Sequence, residues 1–95
     1  MIRVVVLNWN AADLTSRCVR SIEGTDWPAD DLDLVIVDNG SIDGSAQLLG
    51  RRHPSWRMVH NPTNLGFAEG INRAVRDLVQ PGEPEVDMVA LVNND

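Results

Sequence analysis

The chain contains no lysine and a single cysteine, Cys18, and its Lys+Arg total of 8, all arginine, is set against 14 acidic residues. The net charge is −6 and no basic cluster is denser than Arg51-Arg52. That balance excludes a nucleic-acid surface, which needs grouped cations against phosphate. One cysteine forms no internal disulfide and suits a reducing compartment, so a cytoplasmic location is expected. No apolar run approaches the ~20 residues of a membrane helix. The opening MIRVVVL is too short and wrongly flanked for a secretory signal. The glycine loops of common nucleotide sites are missing as well. No G-x-G-x-x-G follows the first apolar run, which disfavours a dinucleotide site, and the absence of G-x-x-x-x-G-K-[ST] excludes a P-loop NTPase. A phosphoryl-transfer receiver would want an acidic pair after its first strand and a late lysine. Here that place holds Asn8 to Asn10, and there is no lysine to find.

What is present reads as one small globular domain: 95 residues, 43% hydrophobic and 23% charged. A domain of this size is marginal alone. Four apolar runs punctuate it: VVVL (Val4 to Leu7), LVIV (Leu34 to Val37), WRMV (Trp56 to Val59) and MVALV (Met88 to Val92). All but the third are continuous, the pattern of strands buried on both faces of a parallel sheet. The third alternates and is placed near an edge. Between the runs lie helical stripes. Leu14, Cys18, Val19 and Ile22 form the first, with Asp13 as its cap and Gly24 and Pro28 at its end. A short helix is expected between Asp43 and Leu49, capped by Ser41 or Asp43. Phe67, Ile71, Ala74, Val75 and Leu78 make the clearest stripe, closed by Pro81-Gly82. The order βαβαβαβ predicts an α/β, Rossmann-like parallel sheet with helices on both faces and strand order 3-2-1-4.

Such sheets bind ligands outside the carboxyl ends of their strands. Here those ends carry NWN (Asn8 to Asn10), DNGS (Asp38 to Ser41), HNPTNLGFA (His60 to Ala68) and NND (Asn93 to Asp95). One loop rich in Asn, Asp and Gly is an ordinary turn. Four on one edge, with the aromatics Trp9 and Phe67, point to a shared polar site. With no glycine loop to hold a diphosphate, a divalent metal on carboxylate and amide oxygens would serve.

VVVLNWN, LVIVDNGSIDGS, NPTNLGFAEGINRAV and LVNND, in this order and spacing, resemble the family 2 glycosyltransferases of the GT-A fold. The NWN and NLGFA versions are most similar to members that transfer rhamnose and related sugars in bacterial polysaccharide assembly. The resemblance covers nearly the whole chain. It implies that residues 1–95 are the nucleotide-sugar-binding half of a longer domain, cut at the metal motif. It implies inverting transfer from a UDP- or dTDP-linked sugar to a saccharide or lipid-linked acceptor, with Mn²⁺ or Mg²⁺ as cofactor. The acceptor pocket and general base would lie beyond NND, so the 95 residues alone are expected to be inactive, and membrane-surface association would come through those further regions. The alternative is a nucleotide-binding or interaction module without catalysis.

The resemblance also assigns roles. Asp38 would accept a hydrogen bond from a pyrimidine N3–H, against the plainer reading of a turn residue in DNG. Trp9 would stack on the base, or else pack under the first helix. Leu7 and Asn8 would contribute backbone rather than side chain, and Asn10 would bond backbone across its loop. Gly66 and Phe67, with Asn64, form the loop over ribose and diphosphate, with Gly66 giving a positive φ or a close backbone approach. Asn94 would sit near the ribose hydroxyls and Asp95 would hold the metal. Asn72 reads as structural and Arg73 as a solvated helix residue. His53 and His60 read as surface residues, and Cys18 as a small packed hydrophobe.

Overall fold

The computed structural model describes residues 1–77, 82 and 86–92. Its elements run β1 (Ile2–Asn8), α1 (Ala12–Glu23), a 3-10 turn (Ala29–Asp31), β2 (Leu32–Asn39), α2 (Ser45–Arg52), β3 (Arg57–Asn61), α3 (Phe67–Asp77) and β4 (Met88–Val92). The strands form one sheet in the order β3-β2-β1-β4, with every pairing parallel. This is the order expected from the sequence.

The runs of valine and isoleucine explain why the two central strands are β1 and β2. Branched side chains suit a pleated surface, and successive residues point to opposite faces. On one face Val6 and Ile36 pack with Val19 of α1, Leu49 of α2 and Trp56. On the other, Val5, Val35 and Val37 pack against Ile71 of α3. Each such fully buried aliphatic side chain contributes roughly 1.5–3 kcal/mol. Cys18 packs at the margin of the first cluster, half-buried, and that burial raises its thiol pKa.

At the amino edge, away from the strand ends discussed below, Arg3 and Asp33 are register partners and both are buried. Arg3 Nε donates to Asp33 Oδ2 at 2.7 Å, and Arg57 Nη1 lies 3.5 Å from Asp33 Oδ1. No pattern in the sequence announced this pair. Breaking a buried pair on one side costs about 3–5 kcal/mol, because it strands the other charge.

Several expectations need correcting. β4 is not buried on both faces: Met88, Val89 and Leu91 are all exposed among the described residues. It lies at the edge of the sheet and, among the described strands, pairs with β1 alone. β3 occupies the opposite edge, as its alternation suggested. Asp13 does not cap α1. The cap position is Ala11, with no side-chain bond, and Asp13 in the first turn pairs instead with Arg52 at 3.0 Å. Leu14 is exposed rather than part of the buried stripe. For α2 the cap position is Gly44, and Asp43 Oδ1 accepts the Ser45 N–H at 2.9 Å from one residue further out. Hydrogen bonding by the Ser45 side chain, and then by its N–H, holds the Asp43 carboxyl below its ordinary range. Leu78 and Pro81 lie outside the described residues.

His53 is the clearest correction. It is buried at the end of α2, with Nε2 3.1 Å from Ser16 Oγ, while His60 is exposed as expected. Burial lowers the His53 pKa from its ordinary 6.5; Glu23, 3.8 Å away, opposes this, and Arg20 and Arg52 reinforce it. A histidine whose folded pKa is depressed binds its proton more readily when unfolded. It therefore costs stability as pH falls through 6.5 and is silent above. The urea midpoint should drop between pH 7 and pH 5.5, and His53→Gln should flatten that part of the profile. A variant with the same slope as the parent would remove His53 from the account.

Candidate functional site at the carboxyl edge

The sheet places the ends of β1, β2 and β3 side by side. Asn8 is the register partner of Asp38, Asp38 of His60, and Asn39 of Asn61. Two hydrogen-bonded networks grow from these rows.

The first centres on Asp38, which is only 3% exposed. Its Oδ1 accepts from Asn8 Nδ2 at 2.9 Å and from Ser41 Oγ at 2.6 Å, and its Oδ2 accepts the Ser41 N–H at 3.0 Å. Asn8, fully buried, shares the two protons of the same amide among Asp38 Oδ1, Ser45 Oγ at 3.0 Å and Ser41 Oγ at 3.2 Å. Its Oδ1 accepts from Thr15 Oγ1 at 2.7 Å. Only the NH₂ end of the Asn8 amide is compatible with a facing carboxylate, so the amide orientation is fixed by chemistry. Ser41 Oγ also accepts the Asn10 N–H at 2.9 Å, and Asn10 Oδ1 accepts the Ile42 N–H at 3.0 Å. Asn10 adopts φ 49°, a left-handed conformation that asparagine tolerates. Asn8 and Asn10 thus tie the loop after β1 to the loop after β2. The bond expected from Asn10 to backbone across the loop is seen, while the Asn8 side chain is taken up inside the network. Ser41, expected as a possible helix cap, serves Asp38 instead.

The second network centres on Asn39, which is 1% exposed. Its Nδ2 donates to Asn64 Oδ1 at 3.0 Å and to the Gly66 carbonyl at 3.2 Å. Its Oδ1 accepts from Asn61 Nδ2 at 3.1 Å and from the Leu65 N–H at 3.2 Å. Asn61 Nδ2 continues to the Gly70 carbonyl at 3.2 Å. These amides pin the loop between β3 and α3. Gly66 takes φ +78° with open space around the position of a Cβ, so the positive φ, not a close approach, is what uses glycine here. Gly40 has both demands: φ +79°, and a Cβ there would lie 2.4 Å from the Thr63 carbonyl carbon. The two loops therefore touch backbone to backbone.

Of the residues singled out from the sequence, Asn8 and Asp38 are brought into direct contact. Leu7 is partly buried against the α3-side core. Trp9 is 50% exposed and follows β1 directly, and Phe67 is 48% exposed at the first position of α3. Trp9 is thus not a core tryptophan under α1. Gly66 is held by Asn39 rather than by the Asp38 network. Asn72 and Arg73 are exposed on α3. Asn93, Asn94 and Asp95 lie outside the described residues. Sequence reasoning missed Thr15, Ser45, Asn39 and Asn61. The available signal for the last two was that β2 and β3 both end on asparagine at matched register.

Two concavities of about 550 Å³ lie away from this edge, one between α3 and β4 and one beneath Trp27. Neither contains the polar networks. The edge itself carries a concavity of about 370 Å³ lined by Asn10, Asp13, Asp43 and Ser45 among others. Among the described residues no group of three or more metal-ligating side chains comes together.

A parallel sheet with hydrogen-bonded polar networks at the carboxyl ends of its strands is an α/β domain of the Rossmann-like kind, in which ligands sit outside those ends. The chain belongs to glycosyl transferase family 2, whose sequence pattern matches residues 3–79. It is 35% identical over 65 residues to an N-acetylglucosaminyl-diphospho-decaprenol L-rhamnosyltransferase of Mycobacterium tuberculosis (strain CDC 1551 / Oshkosh), covering 64% of this chain and 21% of that protein. Among solved structures it resembles the mannosyltransferase PcManGT from Pyrobaculum calidifontis in complex with GDP-Man and Mn²⁺, with TM-score 0.78 and 26% identity. That likeness covers 99% of this chain and 27% of that one. It resembles S. aureus TarS 1-349 in complex with UDP with TM-score 0.79 over 99% of this chain and 27% of the other; at 22% identity this shows the fold alone. The chain thus spans roughly a fifth to a quarter of the relatives it matches, and its fold is that of GT-A glycosyltransferases.

Proposed function

We propose that this chain forms the donor-nucleotide site of a glycosyltransferase that moves a sugar from a UDP- or dTDP-linked donor to a saccharide or lipid-linked acceptor, with inversion, in bacterial cell-surface polysaccharide synthesis. The observation that carries this reading is the Asp38 carboxylate at the end of β2, ordered by three internal donors before any ligand arrives. A carboxylate held in this way is a preorganised acceptor for a base N–H and loses little freedom on binding. Family membership and the rhamnosyltransferase relative, whose name specifies a lipid-linked acceptor, support the reaction class. The base is not decided by the fold, since structures of this fold are seen with GDP-Man and with UDP. It rests on local residues.

In this reading Trp9 and Phe67 wall the nucleotide from either side, and the Asn39 network fixes the loop that approaches ribose and diphosphate. A divalent cation is proposed with Asp95 as its protein ligand; when bound, it would draw charge from the departing diphosphate. The described residues offer no alternative cluster for it. The acceptor proton would go to a general base that none of the described side chains is assigned to supply.

The experiment is calorimetric titration of UDP, dTDP and ADP with and without Mn²⁺. UDP and dTDP should bind at least about tenfold more tightly than ADP, whose ring N1 is an acceptor where uracil N3 carries a proton; the factor is that of one hydrogen bond to a charged group. Asp95→Ala should remove the Mn²⁺ dependence and leave the base preference. Equal binding of all three nucleotides would overturn the Asp38 assignment. Unchanged Mn²⁺ dependence would overturn that of Asp95.

A further inference from the structure

Asp38 offers a ligand less than a free carboxylate does. An ionised carboxylate has about four lone-pair positions. Both of those on Oδ1 are taken, by Asn8 Nδ2 at 2.9 Å and Ser41 Oγ at 2.6 Å. One on Oδ2 is taken by the Ser41 N–H at 3.0 Å. The occupants are not free to leave. The Ser41 hydroxyl accepts from Asn10 N and Asn8 Nδ2, so its single proton is directed at Asp38. The Asn8 amide is locked from its other end by Thr15. Among the described residues, one position on Oδ2 is therefore left.

We propose that Asn8 and Ser41 set the nucleobase selectivity of this edge: by filling Asp38 Oδ1 they leave a single acceptor position, which fits bases that present one N–H, uracil and thymine, and rejects the two-donor edge of guanine. The inference rests on the reading of Asp38 as the base contact and adds a selection against guanine that the carboxylate alone would not provide. A free carboxylate would favour guanine, whose N1–H and 2-amino group match two oxygens as a bidentate pair. Here the 2-amino group meets an oxygen already saturated and loses its water without gaining a partner. Asn8 and Ser41 are positioning residues in this scheme, because they act through Asp38 and do not touch the base.

One test needs no substitution. Hypoxanthine presents the N1–H of guanine without the 2-amino group. The native protein should bind UDP most tightly and IDP at least as tightly as GDP. In Ser41→Ala the Oδ1 position opens, and GDP should gain about tenfold or more over IDP, the worth of one hydrogen bond to a charged group. Ser41→Thr keeps the hydroxyl and should keep the native order. Ser45→Ala disturbs the same network without touching Asp38; it should lower the melting temperature and leave the GDP/IDP ratio unmoved. If Ser41→Ala does not fold, as judged by circular dichroism, the native GDP/IDP comparison decides alone. A native preference for UDP over ADP combined with GDP binding tenfold better than IDP overturns this inference while sparing the Asp38 reading. So does a folded Ser41→Ala whose GDP/IDP ratio matches the native one. Native binding with no preference between UDP and ADP overturns both.

Discussion

Asp38→Asn should turn the nucleotide preference from UDP toward CDP. The substitution is nearly isosteric, so its effect is one of donors and acceptors. Asn8 Nδ2 and Ser41 Oγ both donate toward the inner oxygen of residue 38, which forces the new amide to place its oxygen there. Its NH₂ then occupies the outer position, where Oδ2 had accepted the Ser41 N–H. Toward the base this presents a donor in place of an acceptor. Uracil N3–H meets it head-on, while cytosine N3 carries a lone pair and accepts. UDP affinity should fall by about 10- to 100-fold, the range of one charge-assisted bond, and CDP should equal or overtake it. The Ser41 N–H, left facing another donor, should also cost about 1–3 kcal/mol of folding stability. Titration of both nucleotides against parent and variant reads the first effect and urea unfolding the second. A variant that still prefers UDP would show that the base does not meet this carboxylate.

Gly40→Ala should be the most damaging single methyl in the loops. At φ +79° an L-residue is strained by about 1–2 kcal/mol. The added Cβ would also lie 2.4 Å from Thr63 C, 2.5 Å from its Cα and 2.8 Å from Asn64 N, all backbone atoms with no rotamer to change. Overpacking of that kind adds about 1–3 kcal/mol. The sum is a large part of the 5–15 kcal/mol that holds a small domain together, and the melting temperature should fall by more than about 10 °C. Gly44→Ala is the matched control: φ +81° but nothing within 4 Å, so only the backbone strain is incurred. If the two variants melt together, the contact between the loops after β2 and β3 has no energetic weight.

Much of this fold was legible because it depends on periodicity. The continuous valine and isoleucine runs marked the central strands, the stripe through Ile71 and Val75 marked α3, and the crossover rules then left the order β3-β2-β1-β4. β4 misled for a definite reason. An apolar run reports what a strand is suited to bury, whereas Met88, Val89 and Leu91 lie on an edge with no described neighbour on its far side. His53 misled because a lone histidine carries no periodic signal, and its burial follows from where α2 ends over Ser16. Helix starts slipped by one or two residues, since several Asp and Ser candidates stood close together and only geometry chooses among them. At the site, the motif located Asp38 but gave no hint of how many of its lone pairs were already in use. That count depends on Ser41, three residues on in the same loop, and on Asn8 at the end of β1, which the register of β1 on β2 brings opposite.

The placement of β1 also has a kinetic side. It is the first strand of the chain and a central strand of the sheet, pairing with β2 some 30 positions on and with β4 some 86 positions on, the separation of the Met1–Asp87 contact. Among the described strands no two neighbours are joined by a hairpin, so each of these pairings must close a long loop before it gains a hydrogen bond. Such non-local topologies fold slowly, in the range of milliseconds to seconds. During synthesis at about 5–20 residues per second, β1 and β2 can meet early, but one side of β1 stays open for the seconds it takes to reach Met88. The edge of β1 that later receives β4 thus stays open longer than the edge that receives β2.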